Sequence, residues 1–286
     1  MGRDHATPSL MVLQHDLKLR RRSRIWLCPT AAFTSIPLHA AHPFRTKADR
    51  SGQESSLEDL YICSYTPTLS ALIRSRQMMK NHAPPSFAAI GQSQPGAGQG
   101  TVLADVDNEL ELIHKLVPPN IKFTNISGDE ATQAGALDAL RCNTWVHLAC
   151  HGKQDHEQPY HSRFAMRDKP LKLLDIMENN APQAEFAFLS ACHTAVGDEE
   201  TPDEVIHLAA GLQFSGFKSV IGTLWAVDDA VAKHVVEAFY HKMFENLEDG
   251  DMDCTKAALA LNHATRTVPK KEVPLEQRMV FIHIGV

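Results

Sequence analysis

Apolar positions in the second half of the chain fall into two alternating patterns. Unbroken runs of strand length, TWVHLAC (144–150), FAFLSAC (186–192) and KSVIGTLW (218–225), are separated by stretches whose apolar residues recur at helical spacing. A run that is apolar at nearly every position has no solvent face, so these predict strands covered on both sides, as in a parallel sheet under helices. ATQAGALDALR (131–141), LKLLDIMEN (171–179) and EVIHLAAGLQFSG (204–216) read as helices between them. In DAVAKHVVEAFYHKMF (229–244), Val231, Val235, Phe239 and Met243 recur every four residues behind Asp228, an N-cap. KFTNIS (122–127) predicts a further strand, CTKAALALNHATRTV (254–268) a helix, and MVFIHIGV (279–286) a buried closing strand.

The first half is looser but similar in kind. RIWLC (24–28), LYICSY (60–65) and SFAAIG (86–91) predict strands, and TLSALIRSRQMMK (68–80) and DNELELIHKLV (107–117) predict helices. GQSQPGAGQGT (91–101) is flexible by composition and reads as a loop on the sheet's edge or a small linker. Strands alternating with helices of about ten residues place the chain in the α/β class, with a mainly parallel central sheet of about six strands and helices on both faces. Residues 1–20 read as an N-terminal segment, helical or disordered, and 21–286 as one domain containing the flexible loop 91–101.

Charge excludes some functions. The net charge of −6 gives no basic field, so no nucleic-acid partner is expected. The run LKLRRRSR (17–24) is the exception: it has the composition of a nuclear address or anion patch, although a solvated face is its ordinary explanation. No stretch reaches the roughly 18 apolar residues of a membrane helix, and no secretory signal is legible, so no membrane partner is expected. The expected compartment is the cytoplasm, with the nucleus as the alternative that residues 18–24 suggest. Six cysteines at 28, 63, 142, 150, 192 and 254 form no CxxC pair, which argues for a reducing compartment and against a disulfide framework or zinc ribbon.

Two neighbouring apolar strands end in reactive residues, WVHLACHG in His151 and FAFLSACHT in Cys192. Side chains just past the carboxyl ends of adjacent parallel strands converge on one crevice, and the separation of 41 positions suffices for one loop, helix and strand. This suits thiol catalysis, with Cys192 as nucleophile and His151 as the base. Gly152 lets its backbone N–H approach a substrate, and with the N–H of Cys192 it is the candidate oxyanion donor. Cys150 is a rival nucleophile, but strand alternation sends it to the face opposite His151.

HLACHG, LKLLDI, FLSACHTAVGDE, GFKSVIGTLWAVDD and AFYHKMF, in that order, resemble the CHAT domain, a caspase-like cysteine peptidase fold related to caspases, metacaspases and separases. The resemblance is dense from about 144 to 244, and RIWLCPTAAFTSIPLHAA resembles the family's N-terminal strand and turn. It implies a caspase-like fold, an endopeptidase with a His151–Cys192 dyad, no cofactor, and a protein or peptide substrate. It also implies helical-repeat or signalling partners. The segment before the last strand, KKEVPLEQRM, departs from the aromatic-rich segment common in the family.

Substrate-pocket candidates are Asp155, His193, Asp198, Asp203 and Trp225. A carboxylate among Asp155, Asp198 and Asp203 would select a basic residue, although GDEETPDE (197–204) also reads as helix-start chemistry with a T-x-x-E capping box. Trp225 would serve as a pocket wall or as packing beneath a loop. His147, His151, His193 and His207 lack metal-motif spacing, so no metal is expected, and His147 reads as a satisfied core histidine. The rival from another class is a catalytically silent interaction module of the same fold in a signalling assembly.

Overall fold

The computed structural model describes residues 12–30, 33–34, 36–41, 56–80, 83–155, 157–190, 208–245, 247, 252–269 and 272–286. Its strands are β1 (Arg24–Leu27), β2 (Ile62–Tyr65), β3 (Ser86–Gly91), β4 (Lys122–Ser127), β5 (Trp145–Ala149), β6 (Gly152–Lys153), β7 (Arg163–Phe164), β8 (Leu171–Lys172), β9 (Phe186–Ser190), β10 (Ser219–Thr223) and β11 (Phe281–Gly285). Its longer helices are α1 (Leu69–Met78), α2 (Val106–Leu116), α3 (Gln133–Cys142), α4 (Leu173–Glu178), α5 (Leu208–Ser215), α6 (Asp229–Met243) and α7 (Ala257–Thr267).

The main sheet has the order β1-β2-β11-β10-β9-β5-β3-β4. Strands β10, β9, β5, β3 and β4 run parallel, β11 reverses against β10, and β2 and β1 continue parallel to β11. The sheet therefore has eight strands rather than about six. The extra width comes from β1 and β2, four residues each, which extend the sheet beyond β11. A small antiparallel sheet, β6-β7-β8, follows the His-Gly pair. Its last strand takes the first two residues of LKLLDIMEN, where Lys172 N–H also donates to Asp175 and opens α4 one residue later.

Strand alternation divides the core between the two faces. Trp145, Ala149, Phe186 and Phe188 pack with Val106, Leu110 and Ile113 of α2 and Val235, Val236 and Phe239 of α6. Val146, Leu148, Cys150, Ala187 and Leu189 pack on the other face with α3, α4 and α5. Full burial of such an aliphatic side chain contributes about 1.5–3 kcal/mol. This is why β5, buried at every position, is fixed in register at the middle of the sheet. Two of the helices start on hydroxyl or carboxylate caps: Thr132 accepts from Gly135 N–H at α3, and Asp228 accepts from Ala230 N–H at α6.

Two expectations need correction. Residues 92–101 are neither an edge loop nor a linker, because β3 lies between β4 and β5 and the loop emerges beside the end of β5. The basic run at 17–24 is not wholly a solvated face either. Arg22 donates to Asn262, while Arg24 donates to Ser64 and the Thr255 carbonyl with its guanidinium 4.8 Å from the Trp26 ring centre. Burial, then the charge of Arg76, lowers the Arg24 pKa to about 10.

Candidate active site

β5 and β9 lie side by side in parallel register through Ala149↔Ser190. Ser190 is the last described residue of β9, and Cys192 follows it by two positions, outside the described residues. His151 follows Ala149 by the same two positions. Between the end of this strand pair and the start of α2 and α6 lies a cleft of about 120 Å³ whose lining includes His151, Ser190, Asp105, Glu109, Asp229 and Lys233.

The His151 ring is held from outside the dyad. Its Nε2 lies 2.8 Å from the carbonyl oxygen of Thr101. A carbonyl only accepts, so Nε2 carries the proton, and in the neutral ring Nδ1 is left as the acceptor. The loop that supplies this carbonyl is clasped by the chain after β7. Gly96 N–H donates to the Met166 carbonyl, Gln99 Oε1 accepts from Met166 N–H, and the Arg167 side chain donates to the Gln94 carbonyl. Gly100 lies against the ring at φ +143°, where a Cβ would come within 2.4 Å of His151 Cδ2. Glycine is needed there for both space and backbone conformation.

Gly152 opens the small sheet opposite Phe164. Ala165 N–H donates to the His151 carbonyl at 2.9 Å, which makes Gly152 and Phe164 a non-hydrogen-bonded pair. The Gly152 N–H therefore points away from β7.

Beneath the cleft, the buried His147 ring spans two elements. Its Nε2 is 2.7 Å from Glu109 Oε1 and its Nδ1 is 3.0 Å from the Tyr240 hydroxyl. The carboxylate accepts, so Nε2 bears the proton, and in the neutral ring Nδ1 accepts from Tyr240 O–H. Burial, reinforced by the Glu109 charge, holds the Tyr240 pKa well above its usual value. His147 is thus the satisfied core histidine that its mid-strand position indicated.

The other candidates divide. Asp155 Oδ1 accepts from Gln158 N–H, capping the turn before residues 159–161, and Asp155 does not line the cleft. Trp225 follows β10 by two residues, and its indole N–H donates to the Glu276 carbonyl. It packs on apolar residues of both faces and does not line the cleft. His193, Asp198, Asp203 and His207, with the capping box at 201–204, lie outside the described residues. Among the described residues, no group of three or more His, Cys, Asp or Glu side chains is placed to hold a metal ion.

Sequence reasoning missed the Thr101 carbonyl and Glu109. A backbone carbonyl has no residue-type signature. Glu109 did leave one, since it stands three residues after Val106 and beside Leu110, on the apolar stripe of its helix.

A mainly parallel sheet with a His-Gly pair at the end of a central strand defines a caspase-like cysteine-peptidase fold. The chain matches the CHAT domain family over residues 8–278 and belongs to it. Solved structures share the fold at low identity. The Arg-specific cysteine proteinase gingipain R aligns with a TM-score of 0.53 at 12% identity, over 79% of this chain and 54% of that one. The complex of Porphyromonas gingivalis RgpB pro- and mature domains aligns at 0.56 and 10% identity, over 92% and 64%. Separase in the Saccharomyces cerevisiae separase–securin complex aligns at 0.52 and 14% identity, over 80% and 14%. The chain therefore spans less than two thirds of each of these proteins. No curated protein matches it. No described helix is long and apolar enough to cross a membrane.

Proposed function

We propose that the chain is a cysteine endopeptidase acting through Cys192 and His151 on a protein or peptide substrate. The observation that carries this reading is the His151 ring, bonded to Thr101 through Nε2 with Nδ1 left as acceptor, at the end of the strand in register with β9. Chain connectivity keeps Cys192 within two peptide units of Ser190.

His151 Nδ1 takes the proton from the Cys192 thiol, and the thiolate sulfur attacks the carbonyl carbon of the scissile peptide. The oxyanion that forms is met by the N–H groups of Gly152 and Cys192, each worth about 2.7–4 kcal/mol in such sites. The protonated imidazole then gives its proton to the leaving amine as the C–N bond breaks, leaving a thioester. Water, deprotonated by the same nitrogen, hydrolyses the thioester and restores the thiol. The Thr101 carbonyl stabilises the imidazolium and fixes its orientation. A reducing compartment suits this thiol, and a signalling or regulated-proteolysis role suits the family.

The test is a fluorogenic peptide library and an acyloxymethyl-ketone peptide probe on wild type, Cys192→Ala and His151→Ala. Cleavage and labelling confined to wild type, with the adduct mapped to Cys192 and not to the buried Cys150, support the reading. Wild type inert to every peptide and to the probe would leave the silent interaction module in its place.

A further inference from the structure

The cleft carries a charge that the dyad chemistry does not use. Glu109 lines it with its side chain only 12% exposed, and Asp105, just before α2, and Asp229, the first residue of α6, stand exposed. Asp105 and Glu109 are four residues apart on one helix face. Glu109 is held by a side chain of the central strand. His147 Nε2–H donates to Oε1 and Nδ1 is satisfied by the Tyr240 hydroxyl, so the chain of bonds orients the carboxylate.

Among the described residues, no lysine or arginine lies within ion-pair distance of Glu109, and its Oε2 has no hydrogen-bond partner. Lys233, the cation on the cleft lining, stands exposed four residues after Asp229 on α6, and three carboxylates, Asp105, Glu109 and Asp229, share that lining with it. A mostly buried carboxylate that faces an open cleft with one oxygen unbonded and no lysine or arginine beside it is poised for a cationic group brought by a ligand. The volume of about 120 Å³ admits one side chain, being close to the roughly 150 Å³ engineered cavity that accepts benzene.

We infer that this cleft is the pocket for a lysine or arginine side chain of the substrate, with Glu109 as the specificity-determining residue and Asp105 assisting at the rim. His147 and Tyr240 are positioning residues that fix the Glu109 carboxylate. The inference rests on the peptidase reading for the identity of the ligand as a substrate side chain. It adds a carboxylate on α2 to the candidates Asp155, Asp198 and Asp203, of which the last two lie outside the described residues.

The pocket can be tested without turnover. Ligand-observed NMR on the full chain would compare n-butylguanidinium with n-butylurea, its neutral isostere, for wild type, Glu109→Gln and Asp105→Asn. Glu109→Gln keeps an acceptor for His147 Nε2 and removes only the charge. Wild type should prefer the cation by about tenfold or more, equivalent to about 1.4 kcal/mol. Glu109→Gln should bring the two ligands to parity, and Asp105→Asn should weaken the preference less. Should Glu109→Gln fail to fold, added salt on wild type and Asp105→Asn replaces it, and the preference must fall as salt screens the pair. Equal binding of the two ligands by wild type, or a preference unmoved by Glu109→Gln or by salt, would overturn the pocket.

Peptides with arginine or lysine against norleucine separate the two proposals. Probe labelling at Cys192 without cationic preference sinks the pocket and leaves the peptidase standing. Cation binding at Glu109 with no cleavage or labelling sinks the peptidase and leaves a cation pocket.

Discussion

His151 and Thr101 are joined by a 2.8 Å hydrogen bond from the imidazole Nε2 to the backbone carbonyl, so the ring is oriented by a loop fifty residues away in sequence. The contact depends on the absence of a side chain at Gly100, beside the ring. Gly100→Ala should therefore displace the imidazole and cost roughly a hundredfold in peptide kcat/KM, the scale of a misplacement of about 1 Å. The added strain at positive φ should also lower stability by about 1 kcal/mol. Kinetics beside a urea melt check both, and wild-type kinetics in a folded Gly100→Ala would show that the loop does not position the ring.

Gln99 clamps the same loop through its Oε1 on Met166 N–H and its Nε2 on the Asp168 carbonyl. Gln99→Ala should loosen the loop and lower kcat more than it raises KM, because it touches the position of His151 and not the cleft. Gln99→Glu retains one acceptor and should recover part of the loss. A split of the opposite kind, with KM alone affected, would place Gln99 in substrate binding instead.

Tyr240→Phe removes the donor to His147 Nδ1 and leaves a buried acceptor unpaired. The expected cost is about 1–3 kcal/mol in urea unfolding. The variant should also weaken the preference of the cleft for n-butylguanidinium over n-butylurea, since Glu109 loses the support of its positioning histidine. Unchanged stability would mean that the Tyr240–His147 bond contributes nothing net.

His39 is buried, its Nδ1 against the Tyr65 hydroxyl and its Nε2 against the Met279 carbonyl, and burial lowers its pKa from 6.5 to about 4. His283 is shifted the same way by burial and the Arg24 charge. The unfolded chain takes up a proton near pH 6.5 that native His39 refuses until about 4, so the unfolded state holds the extra proton between those values. Stability should be full above pH 6.5, fall as pH drops through this window, and gain no further His39 penalty below it. The His39 contribution is on the order of 3 kcal/mol. Urea melts at pH 7.5, 5.5 and 4.5 should show the decline, and His39→Gln should flatten it.

Much of the scaffold is legible in local pattern. WVHLA is apolar or aromatic at four of five positions, and any parallel sheet buries such a run on both faces. The Asp228 cap and the four-residue rhythm of α6 are likewise local, and Cys150 lies on the face opposite the Ala149 side, as alternation requires. Which of the predicted strands join one sheet is not legible. The four-residue strand β2 pairs with β11 and β1 pairs with β2, and nothing in RIWL or ICSY specifies those partners.

The position of the loop at 92–101 in the sheet is not legible for a related reason. Glycine and glutamine there have the composition of a flexible loop, and their bonds to 166–168 join segments about seventy residues apart. Glu109 carried a local trace as a charged residue on an apolar stripe, but its partners Tyr240 and His147 lie on two other elements.

The sequence by itself determined the α/β class, the central strands, and the placement of His151 and Gly152 where β5 runs out, because periodicity and burial act within a few residues. The tertiary structure decided what touches the imidazole and what charge lines the cleft. Those contacts depend on which strand ends and helix starts meet, and chain topology sets that, not any single segment.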